Sequence, residues 1–298
     1  MKLTEMKQVL AARDIQLTKS LGQNFLHDGN QLRRILAVAD LKKTDRVLEI
    51  GPGLGPLTEM LVEEVGEVLA IEKDGRLVEV LKERFNVEQS SGLSLTSEGT
   101  DGTPVLRLLH DDALDYLKRG ARDWSEWKMV ANLPFSVASP LLVELALAAR
   151  SPQRMVGTLQ VEVAMRLHAE PGAPDYGVLT LLIQLNYEPQ PWFKIPASCF
   201  FPEPDVDSAC ICLVRREPLP LKDGERRTYV QLVKRSFSQR RKMMFKLLKA
   251  DWPEKGLAQA FERLNLSPKI RAEEVSREQF TQLARSLSGQ LIRGSSGR

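Results

Sequence analysis

The chain has 298 residues, 43% of them hydrophobic and 27% charged, an ordinary water-soluble composition with enough apolar mass for two packed domains. Three histidines without ligand spacing, and three clustered cysteines (Cys199, Cys210 and Cys212), argue against a metal centre or a disulfide framework. The N-terminus is charged throughout and the longest apolar run, 178–185, is too short to cross a bilayer, so a cytoplasmic protein without a membrane anchor is expected.

Leu32, Ile35, Leu36 and Ala39 share the face of a short helix. R-V-L-E-I-G reads as a strand that breaks on glycine, and Leu57, Met60, Leu61 and Val65 as the helix after it. V-L-A-I-E is a second strand, followed by a helical stripe of Leu77, Leu81 and Phe85. V-L-R-L-L, the helix D-A-L-D-Y-L-K-R and the strand M-V-A come next. Ser139-Pro140 is expected to cap a helix through Ala149, before a fifth strand, R-M-V-G-T-L-Q, and a last one near A-C-I-C-L-V. Strands alternating with helices predict a parallel sheet covered on both faces. Residues 86–104, rich in Ser, Thr, Gly and acidic side chains, are expected to form a mobile insertion, and 217–224 a linker. The domains are therefore expected at 1–216 and 217–298, the second all-helical, with Ser276 capping a last helix through Leu287 and a frayed tail.

The total charge is only +3, but it is unevenly spread. Residues 215–249 carry twelve Lys/Arg against three Asp/Glu, a net of +9, which leaves −6 for the remainder. Lys234, Arg235, Arg240, Arg241, Lys242 and Lys246 surround an apolar helical stripe there, a face suited to nucleic-acid phosphates.

V-L-E-I-G-P-G-L-G-P-L-T runs from strand through glycines into a helix. Gly51, Gly53 and Gly55 would let a ligand approach the backbone and the helix N-terminus. Glu72 ends the second strand twenty-one residues after Gly51, where a carboxylate accepts ribose hydroxyls. Asp111 or Asp112, the register favouring the latter, ends the third strand and can accept the amine of an adenine or cap the next helix. N-L-P-F ends the fourth. Asn132 and a backbone carbonyl such as that of Leu133 could grip both N–H groups of an exocyclic amine and localise its lone pair toward a methyl sulfonium. Pro134 would stiffen the turn, and Phe135 offer a stacking face for an extruded base.

Taken together, G-Q-N-F-L, L-E-I-G-P-G-L-G, I-E-K-D, D-D-A-L, N-L-P-F, F-F-P-E-P-D-V-D-S-A and F-S-Q-R-R-K resemble the KsgA/RsmA-type ribosomal RNA adenine dimethyltransferases, from about residue 21 to 248. The resemblance implies a class I, Rossmann-like methyltransferase sheet with a last antiparallel strand and a small C-terminal helical domain. It implies S-adenosylmethionine as donor and N6,N6-dimethylation of two adjacent adenosines near the 3′ end of small-subunit RNA. Binding of the assembling small subunit by a monomer is expected with it. Asn24 and Leu26 would close over the methionine end of the donor, Gly51 and Gly53 face it, Glu72 hold the ribose, Asp112 the adenine amine, and Asn132 both donor and target. Phe135 stands where this family more often has tyrosine. The alternatives are a single-adenosine large-subunit RNA methyltransferase of the antibiotic-resistance type, an RNA-binding assembly factor, and a nicotinamide oxidoreductase. An intact Glu72, Asp112 and Asn132 speak against a binding-only role.

Overall fold

The computed structural model describes residues 1–17, 22–86, 104–120, 122–239 and 241–292. The expected insertion at 86–104 lies almost wholly outside the described residues, as do Arg240 and the tail from 293 onward. The chain divides into two compact units, Met1–Ala164 with Pro189–Arg215, and Met165–Glu188 with Arg216–Arg298. Among the described residues no helix is long and apolar enough to cross a membrane.

The first unit opens with α1 (Leu3–Ala12), the short β1 (Phe25–Leu26) and α2 (Gly29–Ala39). Strands and helices then alternate: β2 (Arg46–Ile50), α3 (Pro56–Glu64), β3 (Glu67–Glu72), α4 (Gly75–Phe85), β4 (Val105–His110), α5 (Ala113–Arg119), β5 (Trp127–Asn132), α6 (Ala138–Leu147) and β6 (Arg154–Gln160). The chain leaves this unit within α7 (Val161–His168), forms α8 (Val178–Asn186), and returns along β7 (Tyr187–Ile195), β8 (Phe200–Phe201) and β9 (Ser208–Arg215).

Seven strands form one sheet in the order β4-β3-β2-β5-β6-β9-β7. β2 pairs in parallel with β3 and β5, β3 with β4, and β5 with β6, whereas β9 runs antiparallel to β6. Alternate strand residues face the same side. Val47, Val68, Val130 and Val156 therefore form one core with Leu32 and Ile35 of α2 and Leu57 and Leu61 of α3. The connections from β2 run first to one side and later to the other, so the order reverses between β2 and β5. In such sheets the crevice at the carboxyl ends of the strands, at that reversal, is where ligands bind.

Three local differences from the sequence reading have simple causes. α6 starts at Ala138, with Val137 rather than Ser139 at the N-cap position and no side-chain cap, and stops at Leu147. Pro140 is tolerated one turn in because its missing N–H is among those a first helical turn leaves unpaired. α9 starts at Asp223, inside the expected linker. Residues of Met165–Glu188, read as part of the first domain, pack with the second unit. The reason is α8: V-L-T-L-L-I-Q-L is apolar on most sides, with Leu181, Leu182, Ile183 and Leu185 all buried, and needs neighbours around it.

The second unit continues with α9 (Asp223–Ser236), α10 (Met244–Leu248), α11 (Glu254–Arg263) and α12 (Arg277–Leu287). The Tyr229 hydroxyl of α9 donates to the Leu181 carbonyl of α8 at 3.0 Å, and the Tyr229 ring meets Phe280 of α12 edge-on. Ser276 caps α12 as expected, its hydroxyl accepting from Gln279 N–H at 3.2 Å.

Candidate active site

A cleft enclosing about 790 Å³, its open mouth included, lies at the carboxyl ends of β2, β3, β4 and β5. Its walls bring together Asn24, Gly51, Gly53, Glu72, Asp112, Asn132 and Pro134 from five separate stretches of chain.

The glycine turn builds the floor. Gly51, Gly53 and Gly55 all have positive φ, at +68°, +64° and +80°. At Gly53 a second constraint acts: a Cβ there would sit 2.7 Å from the Phe25 ring. The space that this glycine frees is thus filled by β1, which pairs antiparallel with β8 and lays Q-N-F-L across the turn. Met6 and Leu10 of α1 pack with Phe25, Leu54 and Leu77 in the same cluster. Pro56 opens α3 at its first position, where no N–H is required.

Glu72 is 6% exposed. Its Oε2 accepts the Gly53 N–H at 3.1 Å and its Oε1 the Asp74 N–H at 2.9 Å, so one carboxylate ties the glycine turn to the end of β3. Burial pushes its pKa up, while these two N–H groups favour the ionised form. The Lys73 N–H acts in the same sense, and since a carboxylate has about four acceptor positions, some capacity remains for a ligand's hydroxyls.

Asp112 is shared between two local partners. Its Oδ1 caps α5 through the N–H groups of Leu114 and Asp115, at 2.9 and 3.1 Å. Its Oδ2 meets Lys73 Nζ at 2.8 Å, and that hydrogen bond is the largest cause of its lowered pKa. Helix capping and ligand contact are both open to this residue, and the Lys73 ammonium stands beside any amine that comes to it.

Asn132 is held from two sides. Its Nδ2 donates to the Asn24 carbonyl at 2.8 Å, and its Oδ1 accepts from the Thr158 hydroxyl. Leu26 lines a smaller neighbouring cavity together with Asn132 and Glu49. Leu133 and Phe135 line neither cavity: the Leu133 side chain packs on Gly157, and Phe135 is half-buried.

The family model for "Ribosomal RNA adenine dimethylase" matches residues 15–288. The chain belongs to the ribosomal RNA adenine dimethylase family. It is 36% identical over 293 residues to a Ribosomal RNA small subunit methyltransferase A from Geobacillus kaustophilus, covering 95% of this chain and 94% of the other. With a protein of the same name from Chlamydia caviae it shares 38% over 272 residues, 91% of each. A dimethyladenosine transferase from Plasmodium falciparum superposes with a TM-score of 0.70 at 24% identity, over 90% of this chain and 99% of that one. The 23S rRNA methyltransferase ErmE gives 0.63 at 25% identity, over 88% and 99%. The mixed seven-stranded sheet followed by helices is the class I methyltransferase fold.

As an rRNA adenine dimethylase this chain has its motifs where the fold needs them, but several residues around the cleft carry no mark in the sequence. Gln23 donates to Asp74 at 2.9 Å and so anchors the segment before Asn24 to the start of α4. Lys73 and Thr158 stand inside I-E-K-D and R-M-V-G-T-L-Q. A lysine next to a ligand-type glutamate is a signal that could have been used; a threonine in a β-strand is not one.

Glu49, 1% exposed, accepts the Thr58 hydroxyl at 2.7 Å. Burial, against that hydrogen bond and with help from nearby Glu72, pushes its pKa from 4.5 to about 8. The native state then keeps a proton that the unfolded chain has already released, so stability falls as pH rises through that interval. Thermal melts are expected to show Tm declining from about pH 5 to about pH 8, and Glu49→Gln flattening the decline. A decline of equal slope in the variant would place the titrating group elsewhere.

Proposed function

We propose that this chain transfers methyl groups from S-adenosylmethionine to N6 of two adjacent adenosines near the 3′ end of small-subunit ribosomal RNA, in the cytoplasm and as a monomer that binds the assembling subunit. The observation that carries the reading is Asn132, an amide at the cleft wall beside the glycine turn and Glu72. Identities of 36–38% over nine-tenths of the chain to proteins named small-subunit methyltransferases, against 25% to a 23S enzyme, favour the small subunit.

The donor's chemistry fits the residues present. Glu72, Asp111 and Asp112 line the cleft together with Lys73 and supply carboxylate acceptors for hydroxyl and amine groups, and the cleft volume is that of a cofactor site. S-adenosylmethionine, when bound, supplies an electrophilic methyl on a sulfonium. Glu72 would accept the ribose hydroxyls, Asp112 the adenine amine beside Lys73, and Asn24, Gly51 and Gly53 would enclose the methionine end. The Asn132 oxygen would accept one N–H of the target amine and the Leu133 carbonyl the other, which localises the nitrogen lone pair. Pro134 would hold that turn rigid, and Phe135 would stack on the extruded base. No strong base is needed, because the ammonium product is acidic enough to lose its proton to water. Alignment and fixed hydrogen-bond acceptors are then the main contributions to rate.

RNA affinity is assigned to the basic stretch of the helical unit. Lys234, Arg241, Lys242 and Lys246 are exposed. Arg235 is placed differently: its Nε lies 3.0 Å from Asp251 and 3.1 Å from the Leu247 carbonyl, so it is drawn into the fold. Each exposed cation that meets a phosphate adds about 0.7–0.9 to the slope of log affinity against log salt. The variant Arg241→Ala/Lys242→Ala/Lys246→Ala is expected to bind the subunit more weakly with a slope shallower by about 2–3, its melting temperature unchanged. An unchanged slope would remove these residues from the interface.

The deciding assay incubates undermethylated small subunits with the protein and labelled donor, then maps methyl groups by mass spectrometry of digested RNA. Dimethyladenosine at two neighbouring positions is the expected product. Label on large-subunit RNA alone, or none, overturns the proposal.

A further inference from the structure

We propose that Thr158 is a positioning residue for methyl transfer, holding the Asn132 amide so that one acceptor direction of its oxygen faces the target amine; this rests on the reading of Asn132 given above. The parallel register sets Asn132 directly against Thr158 on the neighbouring strand, and the two backbones join there through the Leu133 N–H and the Thr158 carbonyl at 3.2 Å. Thr158 is 0% exposed. The next pair down the same face is Val130 and Val156, and on β9 Cys210 stands opposite Thr158, so its hydroxyl lies in an otherwise apolar row. That hydroxyl donates to Asn132 Oδ1.

The two ends of a carboxamide have nearly the same shape, so packing alone does not choose between them. Hydrogen bonding does. The Asn24 carbonyl can only accept, so the group 2.8 Å from it must be Nδ2. Oδ1 therefore faces Thr158, and the hydroxyl, free to rotate, must donate to it. The Asn24 carbonyl thus selects the flip state, and the hydroxyl, held on the oxygen that faces it, fixes the torsion of the amide. An sp² oxygen accepts along two in-plane directions, so with Thr158 on one, a single direction is left for an incoming N–H. Without the hydroxyl, Asn24 alone restrains the amide, which can then turn about its torsion so that the free acceptor direction of its oxygen no longer stays on the amine.

The test compares Thr158→Val, which keeps the shape and removes the hydroxyl, with Thr158→Ser, which keeps the hydroxyl. Thr158→Ala serves if the valine variant does not fold. For loss of the hydroxyl, kcat on small subunits is expected to fall about tenfold, the size of one hydrogen bond used in the reaction. KM for the subunit and calorimetric affinity for S-adenosylhomocysteine should stay within about twofold, and Thr158→Ser should restore kcat to within about twofold. Wild-type kcat in Thr158→Val, alongside an inactive Asn132→Ala, overturns this inference and leaves the reading of Asn132 standing. Equal slowing in the serine and valine variants, with lowered melting temperatures in both, overturns it in favour of a packing role. Wild-type turnover in Asn132→Ala overturns the earlier reading, and this one with it.

Discussion

Asn132→Ala is expected to lower methyl transfer by about 10²–10³-fold while leaving S-adenosylhomocysteine affinity within about tenfold, the loss typical of removing one fixed polar contact to a reacting group. The amide closes a chain of contacts that begins at Thr158, passes through Asn132 and ends on the Asn24 carbonyl. Alanine breaks both links. The Asn24 carbonyl, at the cleft wall, can then turn to water, whereas the buried Thr158 hydroxyl is left unpaired, so a modest fall in Tm is expected beside the loss of rate. The chemistry has no such substitute. A mobile water does not hold the amine in the geometry that localises its lone pair, and fixed alignment is where the rate comes from. Single-turnover kinetics on undermethylated subunits, with calorimetry for the donor product, separates the two effects. Full activity in the variant would sink the assignment, and loss of donor binding equal to the loss of rate would make Asn132 a binding residue only.

Glu72→Ala should act on the other quantity. The carboxylate holds the Gly53 and Asp74 N–H groups, and both are orphaned by alanine. Each such loss in a buried place costs about 1–3 kcal/mol. Part of this appears as a lower Tm and part as a loosened glycine turn. The acceptor capacity proposed for ribose is lost as well. Affinity for S-adenosylhomocysteine is expected to fall about 10²-fold or more, as loss of two charge-assisted hydrogen bonds would give. Glu72→Gln distinguishes structure from recognition: one of its ends still accepts, but its NH₂ faces a backbone N–H. It should bind the donor product better than the alanine variant and worse than wild type. Equal affinity in all three proteins would remove Glu72 from the site.

Parts of this site could be read from residues in order. β2, β3 and β6 are clear because a buried strand of a covered sheet is a short apolar run, and α2 and α4 because their apolar residues recur at helical spacing. The glycine turn, Glu72 and Asn132 follow from being the residues at which such runs stop, since strand ends in an open sheet are ligand positions. Asp112 was legible only as an open choice, and the structure shows why: one oxygen caps the helix and the other meets Lys73. α1 is absent from the sequence reading, although Leu3, Met6 and Leu10 stand at helical spacing there; the stripe is too short to stand out by itself.

The sequence by itself determined the alternation of strand and helix, the places where each strand ends, and the residue types that stand there. These are properties of neighbours in the chain, and periodicity or a glycine records them directly. The tertiary structure alone decided that Phe25 of β1 would cover Gly53 after pairing with Phe201, that Met165–Glu188 would join the second unit, and that Thr158 would face Asn132. Those pairings join residues far apart in the chain through strand order and register. A single sequence has no fixed spacing at which such partners must appear, so only the folded packing selects them.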